Sequence, residues 1–194
     1  MNNNRNFSFR GFSPDPNGPH TIFLDGKEIR GLWVEGYYCQ LSETTYCFKE
    51  DYERHPDNTK HYIIFDQMTD WGLPNRHMQA NIIPETLCVR TDIFTDRKYW
   101  AEHDIISVRD EKGEEVYRFI LAFGKCGGVR NVPHEVGYIG FHFTPANKET
   151  EKCFEYNVRN DPLYWLNAYK CERIGDIFSN PELVEVERKT FETT

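Results

Sequence analysis

The fold is decided by residues 104–123, which run DIISVRDEKGEEVYRFILAF. Two alternating segments, 104–109 and 115–123, flank the polar stretch Asp110-Glu111-Lys112-Gly113, an arrangement typical of a β-hairpin. Because the side-chain period of a strand is two, the second segment has two distinct faces. We predict that its more aromatic face is core, and this face contains Tyr117, Phe119, Leu121 and Phe123.

Similar patterns lie on both sides of this hairpin. Downstream, residues 136–144 alternate in the same way and are predicted as a further strand. Upstream, Asp25-Gly26 separates 21–24 from 28–38, and an Asp-Gly pair favours a tight two-residue hairpin turn. Residues 62–65 indicate a buried strand. Since turn residues recur about every ten positions, we predict a mainly β chain, α+β at most, with antiparallel hairpins.

Helical and irregular segments are fewer. Residues 49–60 and 69–77 are polar and contain proline or glycine, so we predict long loops there. A helix is predicted over 161–169, because Asp161-Pro162 supplies an N-cap and a first-turn proline. A last helical turn is predicted for Asn180-Pro181-Glu182-Leu183. The chain is thus expected to carry one or two short C-terminal helices.

Length, charge and cysteine content limit the class of protein. The 194 residues suffice for one domain or two small, packed ones. A net charge of −8 disfavours binding to a phosphate backbone. The polar N-terminus and the lack of a long apolar window predict no signal peptide and no membrane span. We therefore expect a cytoplasmic protein whose six scattered cysteines are buried or half-buried thiols.

Three stretches resemble motifs of the YopX family of phage and prophage proteins. Near the start, Phe9-Arg10-Gly11 precedes GLWVEGY at 31–37, similar to "FRG … G-x-W-V-x-G-x-Y". In the middle, Ile83-Pro84-Glu85-Thr86 precedes YWAEHDII at 99–106, similar to "P-E-T-V … I-Y-E-G-D-I-V". Near the end, RIGDIFSNPEL at 173–183 is similar to "V-I-G-N-I-Y-E-N-P-E-L-L". The order matches the family, and the three stretches span nearly the whole chain.

The resemblance implies an architecture but no activity, because the family is one of unknown function. It implies a YopX-like domain over 5–186 with a small SH3-like β-barrel core. Residues 5–83 would form an N-terminal β-hairpin region, and 84–186 the barrel region with the C-terminal helix. Residues 1–4 and 187–194 are expected to be flexible tails. The protein would be a bacterial mobile-element protein in the cytoplasm of the host cell.

The chain departs from the family within two of its motifs, and the segments 49–60 and 69–77 resemble insertions. The family's glycine-containing loop corresponds to residues 88–98, which lack glycine. At the family's "E-G-D", this chain has Glu102-His103-Asp104, so a histidine replaces a glycine that permits an unusual backbone angle.

The catalytic candidates are Glu102, His103 and Asp104, the most chemically suggestive cluster in the chain. Adjacent strand residues point to opposite faces, so His103 and Asp104 are poorly placed to share one ion. His134 and His142 lack the spacing of a metal motif. The loop Gly124-Lys125-Cys126-Gly127-Gly128-Val129-Arg130 lacks a phosphate-binding pattern. We predict no metal site and no cofactor.

Aromatic residues are the candidates for binding, because small barrels bind peptides and single strands by stacking. They are Trp33, Tyr37, Tyr38, Tyr99 and Trp100. The leading hypothesis is a non-enzymatic accessory protein that binds another protein or copies of itself. The alternatives are a metal- or carboxylate-dependent enzyme centred on Glu102, His103 and Asp104, and a nucleic-acid-binding barrel.

Overall fold

The computed structural model describes residues 8–42, 47–55, 59–68, 74–95, 98–126, 138–156 and 170–185. Within these ranges the strands are β1 Phe9–Pro14, β2 His20–Leu24, β3 Lys27–Ser42, β4 Thr59–Met68, β5 Pro74–Asn81, β6 Cys88–Thr95, β7 Lys98–Ala101, β8 Asp104–Arg109, β9 Glu115–Cys126, β10 Tyr138–Pro145 and β11 Lys170–Asp176. The helices are α1 Lys49–Arg54 and α2 Lys148–Tyr156. Single 3-10 turns lie at Pro84–Thr86 and Pro181–Leu183. The prediction of a mainly β chain with few helices is confirmed.

The chain divides into two compact units, Met1–Arg90 and Thr91–Thr194. In the first unit, the strand order is β5-β4-β3-β1, and β2 pairs with the first part of β3. The first residues of β6 pair with β1, at Cys88 and Val89. Every one of these pairings is antiparallel.

The predicted Asp25-Gly26 turn is present between β2 and β3. Asp25 has a φ of 49° and Gly26 a φ of 73°, and the flanking pair is Leu24 opposite Lys27. Two consecutive positive φ angles give a hairpin turn whose twist matches that of the strands. This turn therefore sets the register of β2 on β3.

The long strand β3 contacts three other strands and carries the core of the first unit. Val34, Ile63 and Ile82 are buried together, and half-buried apolar residues surround them. At Gly36, a Cβ atom would overlap the carbonyl oxygen of Ile64 on β4. Only glycine permits so close an approach of the two backbones.

The second unit contains a four-stranded antiparallel sheet of order β10-β9-β8-β11. Its core residues are Trp100, Ile106, Val108, Phe119, Leu121 and Phe143. Phe119 and Phe143 are stacked, with ring centroids 5.0 Å apart. The predicted aromatic face of β9 is thus the core face. Among the described strands, the pairings form open sheets and no closed barrel.

Two predicted loops contain regular structure. Residues 49–60 include helix α1 and the start of β4, and residues 69–77 include the first part of β5. Helix α2, which was not predicted, begins after Asn147, whose side-chain Oδ1 accepts the amide of Thr150 at 2.8 Å. The predicted final turn is present as a 3-10 turn at Pro181–Leu183. The predicted helix over 161–169 and the tails 1–4 and 187–194 lie outside the described residues.

Candidate functional site

The turn between β7 and β8 contains the three catalytic candidates. His103 has a φ of 69°, the left-handed conformation that glycine adopts most easily. Its amide donates to the carbonyl of Leu121 at 2.7 Å, and its own carbonyl accepts the amide of Ile177 at 3.1 Å. Backbone hydrogen bonds on both sides therefore hold the histidine in a conformation that costs about 1–2 kcal/mol for a residue with a Cβ.

The Asp104 carboxylate is fully buried and serves this turn. Its Oδ2 accepts the amide of Ala101 at 2.8 Å, and its Oδ1 lies 3.5 Å from Nε of Arg173. A short carboxylate at the entry of a strand accepts loop amides in this way. This amide-accepting role accounts for the carboxylate without any chemistry on a substrate.

The side chains of His103 and Glu102 lie close to each other, and each also contacts a further residue. The imidazole packs edge-on against Phe178 with ring centroids 5.4 Å apart, and its Nε2 lies 3.8 Å from Oε1 of Glu102. The same Glu102 oxygen accepts the amide of Phe123 at 3.4 Å. Each of the two side chains is thus partly buried against backbone or ring atoms.

A second buried carboxylate, Asp176, lies opposite Asp104 in the ladder between β8 and β11. Its Oδ1 accepts the amides of Phe178 at 3.0 Å and Ser179 at 2.8 Å, and its Oδ2 accepts the Ser179 hydroxyl at 3.0 Å. Sequence reasoning placed Asp176 in a motif but gave it no role. Aspartate side chains often bond the backbone two or three residues on, and that tendency could have identified the turn.

These acids organise turns at one end of the sheet of the second unit. Among the described residues, no group of three or more His, Cys, Asp and Glu side chains is placed to hold a metal ion. His142 lies on β10 with Nδ1 3.4 Å from the carbonyl of Gly140. His134 and the glycine-rich stretch 127–130 lie outside the described residues.

The motif residues of the first unit are also engaged in packing. Arg10 is 2% exposed, and its guanidinium carbon lies 4.6 Å from the ring centre of Trp33. Trp33 in turn meets Phe12 edge-on at 5.3 Å. A guanidinium over an indole ring is a favourable cation–π contact. Trp33, a binding candidate, is therefore half-buried within this stack.

The Pro84-Glu85-Thr86 motif forms a 3-10 turn that is hydrogen-bonded to β1. The Thr86 hydroxyl is buried, accepts the amide of Phe12 at 2.9 Å and donates to the carbonyl of Ile83 at 2.7 Å. The amide of Ile83 donates to the carbonyl of Phe12 at 2.9 Å. One threonine thus satisfies two backbone groups far apart in sequence, which is a structural role.

The remaining aromatic candidates differ in exposure. Tyr38 is half-buried on the core side of β3, with its hydroxyl 2.7 Å from Nδ1 of His61, and burial raises the pKa of Tyr38 above its ordinary value. Tyr99 is half-buried. Trp100 is 4% exposed and belongs to the core of the second unit, so it is a packing residue. Tyr37 is 56% exposed.

Tyr37 lies on the face of the first-unit sheet opposite its core, because neighbouring residues of a strand alternate between faces. Leu41, on the same face of β3, is 47% exposed. The ladder between β3 and β4 pairs Tyr37 with Ile64 and Cys39 with Tyr62. We call this surface the β3–β4 face; it consists of Tyr37, Cys39, Leu41, Tyr62 and Ile64.

The four cysteines whose side chains are described are free thiols in three environments. Cys88 is buried, Cys39 and Cys171 are half-buried, and Cys47 is exposed, which corrects the expectation that all are covered. Burial raises the pKa of the Cys171 thiol to about 11. A nucleophilic cysteine needs a lowered pKa, so Cys171 has the opposite character.

No helix among the described residues is long and apolar enough to cross a membrane. Comparisons with protein-family models, with curated proteins and with solved structures return no match to this chain.

Proposed function

We propose that this chain is a non-enzymatic binding module that binds a protein through the β3–β4 face. The observation that carries the proposal is the exposure of Tyr37 and Leu41 on a sheet face whose neighbours, Tyr62 and Ile64, are also apolar. Apolar side chains grouped on one exposed face mark interaction surfaces more often than single exposed ones do. Tyrosine is, in addition, a frequent anchor residue of protein interfaces.

The arrangement at Glu102, His103 and Asp104 supports a role without catalysis. Both carboxylates accept backbone amides, at Ala101 and Phe123, and the imidazole packs on a phenylalanine ring. A general acid or base must instead reach the proton of a substrate. Nucleic acid is a less suitable partner, since the net charge of −8 opposes a phosphate backbone.

We further propose a setting for this binding activity. The three stretches that resemble the YopX family support a phage- or prophage-associated accessory protein in the cytoplasm of a bacterial host. The first and second stretches coincide with the contacts of Arg10 with Trp33 and of Thr86 with Phe12. Packing therefore explains these motif residues, and the family that they resemble, one of unknown function, implies no reaction for them.

Site-specific photocrosslinking tests the proposal. A photoreactive phenylalanine analogue at Tyr37 should give a covalent protein adduct in the cells that express the chain. The matched control places the analogue at Val116, which is 43% exposed in the second unit, and should give none. If position 37 forms no adduct, or if both positions capture the same proteins equally, the β3–β4 face is not the binding surface.

A further inference from the structure

Residues 176–185 of the second unit divide into two parts that are held in different ways. In the first part, Ile177 is 4% and Phe178 7% exposed. The buried Asp176 carboxylate accepts the amide of Phe178 at 3.0 Å, and the Ile177 amide donates to the carbonyl of His103 at 3.1 Å. Buried apolar side chains and a buried carboxylate therefore anchor this part.

The second part, which we call segment 181–185, has no buried side chain, and all of its residues are described. Leu183 and Val184 are half-buried, and the others are exposed. The segment contains one 3-10 turn, in which the Val184 amide donates to the carbonyl of Pro181 at 3.1 Å. A single turn is unstable alone, because it gains few hydrogen bonds for the entropy that it loses. The segment therefore depends on contacts with the rest of the unit.

The Arg118 side chain on β9 provides the main polar contact with this segment. Its Nη1 donates to the carbonyl of Leu183 at 3.2 Å and lies 3.8 Å from Oε1 of Glu185. The Glu185 amide also donates to the carbonyl of Ala146, just before α2, at 2.8 Å. Because the Glu185 carboxylate is exposed, its ion pair contributes little. The guanidinium bond to Leu183 and the backbone bond to Ala146 therefore hold the segment.

Arg118 has further partners that do not belong to the segment. Its Nη2 lies 2.6 Å from Oε1 of Glu115 on the same strand. Its amide donates to Oγ1 of Thr150 at 2.8 Å, and its carbonyl accepts the amide of Ala146 at 2.8 Å. These contacts remain when segment 181–185 detaches, and the guanidinium then still has an ionic partner. Detachment therefore leaves no unpaired charge on β9.

We propose that segment 181–185 opens and closes while the rest of the second unit stays folded, and that the Arg118 side chain sets how often it is open. Regions with few buried apolar contacts and solvent-exposed hydrogen bonds open locally in this way. The hinge lies at Ser179 and Asn180, because the Asp176 carboxylate holds the backbone up to Ser179. Opening uncovers the Nη1 donor and the Ala146 carbonyl together. The device lies in the second unit and is independent of the proposed binding surface.

Amide hydrogen exchange of the full-length chain, followed residue by residue by NMR, tests the inference. In the wild-type chain, the amides of Val184 and Glu185 should exchange at least about tenfold faster than that of Phe178. Low concentrations of urea should hardly change their exchange, because opening exposes little surface. The core amides of β8 and β9 should respond to urea strongly, since they exchange by global unfolding.

A substitution of the arginine tests its role. Arg118→Met keeps an apolar stem but removes the guanidinium, so the amides of Val184 and Glu185 should exchange about tenfold faster than in the wild-type chain. The Phe178 amide should not change. The matched control is Arg109→Met on β8, since Arg109 likewise donates to a carbonyl, that of Gly113, and pairs with a glutamate. It should leave segment 181–185 unaffected.

Three outcomes overturn the inference. In the wild-type chain, Val184 and Glu185 amides that exchange as slowly as the core amides of β8 and β9 would show that the segment does not open alone. A folded Arg118→Met variant with wild-type exchange at these two amides would show that the guanidinium does not control opening. Equal acceleration by Arg109→Met would mean that the effect is a general loss of stability. The wild-type measurement decides the first point even if Arg118→Met does not fold.

Discussion

Phe119 of the second unit and Tyr37 of the first are aromatic strand residues with opposite exposure. In the second unit, Phe119 and Phe143 stack within a cluster of six buried apolar residues. In the first unit, Val34, Ile63 and Ile82 are buried together on one face, and Tyr37 lies exposed on the other face of the same sheet. Strand alternation creates two faces in both units, but only tertiary packing decides how many of them are covered.

The first unit also contains buried polar contacts. The Arg10 guanidinium over Trp33 and the Thr86 hydroxyl between Phe12 and Ile83 link β1 to β3 and to the 3-10 turn. Buried polar groups with satisfied hydrogen bonds define one arrangement of the chain, because an unmade bond in the interior is costly. The second unit has such links too, since Asp104 and Asp176 accept buried amides there, so the clearest difference between the units is the exposure of the aromatic strand residues.

The largest expected effect comes from truncating the two aromatic residues that represent the contrast. Phe119→Ala should lower the free energy of unfolding by about 3–5 kcal/mol, because it leaves a cavity in a packed core. Tyr37→Ala should change it by less than about 0.5 kcal/mol, as exposed surface substitutions do. Urea denaturation of both variants measures the difference. An equal loss of unfolding free energy in the two variants would mean that Phe119 and Tyr37 are buried to the same extent.

A second prediction concerns the polar link of the first unit. Thr86→Val keeps the shape but removes the acceptor of the Phe12 amide and the donor to the Ile83 carbonyl. We expect a loss of about 1–3 kcal/mol, the cost of leaving a buried group unsatisfied. The control is Thr144→Val, where a half-buried hydroxyl donates to Ile120 at 3.3 Å, and it should cost less. A Thr86→Val variant as stable as the control would contradict the link.

The smallest predicted effect is at His103, where two substitutions distinguish the cost of the backbone conformation from the loss of the side-chain contact. His103→Gly and His103→Ala both remove the contact with Phe178, but only glycine adopts a φ of 69° without strain. The glycine variant should therefore be more stable than the alanine variant by about 1 kcal/mol. Thermal denaturation of the two variants checks this. An alanine variant of equal stability would remove the argument for strain.

Local patterns in the sequence correctly identified several elements. The Asp25-Gly26 turn, the 104–109 and 115–123 hairpin and the core face of β9 follow from turn chemistry and period-two alternation. Each of these inferences involves residues that are close in sequence, so no tertiary contact was needed to make it.

The missed elements depend on contacts between distant residues. Strand β5 begins at Pro74 within a stretch predicted as a loop, and its pairing with β4 determines its conformation. Helix α2 was missed although Asn147 is a good N-cap, because its short apolar pattern is ambiguous without the sheet beside it. Arginine is rarely fully buried, so the burial of Arg10 under Trp33 could not be predicted from residue type.

By itself, the sequence determined the mainly β class, the positions of the tight turns and the two faces of each alternating strand, because these depend on local backbone geometry. Only the tertiary structure decided that Asp104 and Asp176 act as turn-capping acids, that Trp100 is core and that Tyr37 is exposed. The physical reason is that burial and hydrogen-bond partners depend on residues far away in the chain. The candidate binding surface was identified from burial in the tertiary structure, because the sequence pattern alone does not show which face of a strand is exposed.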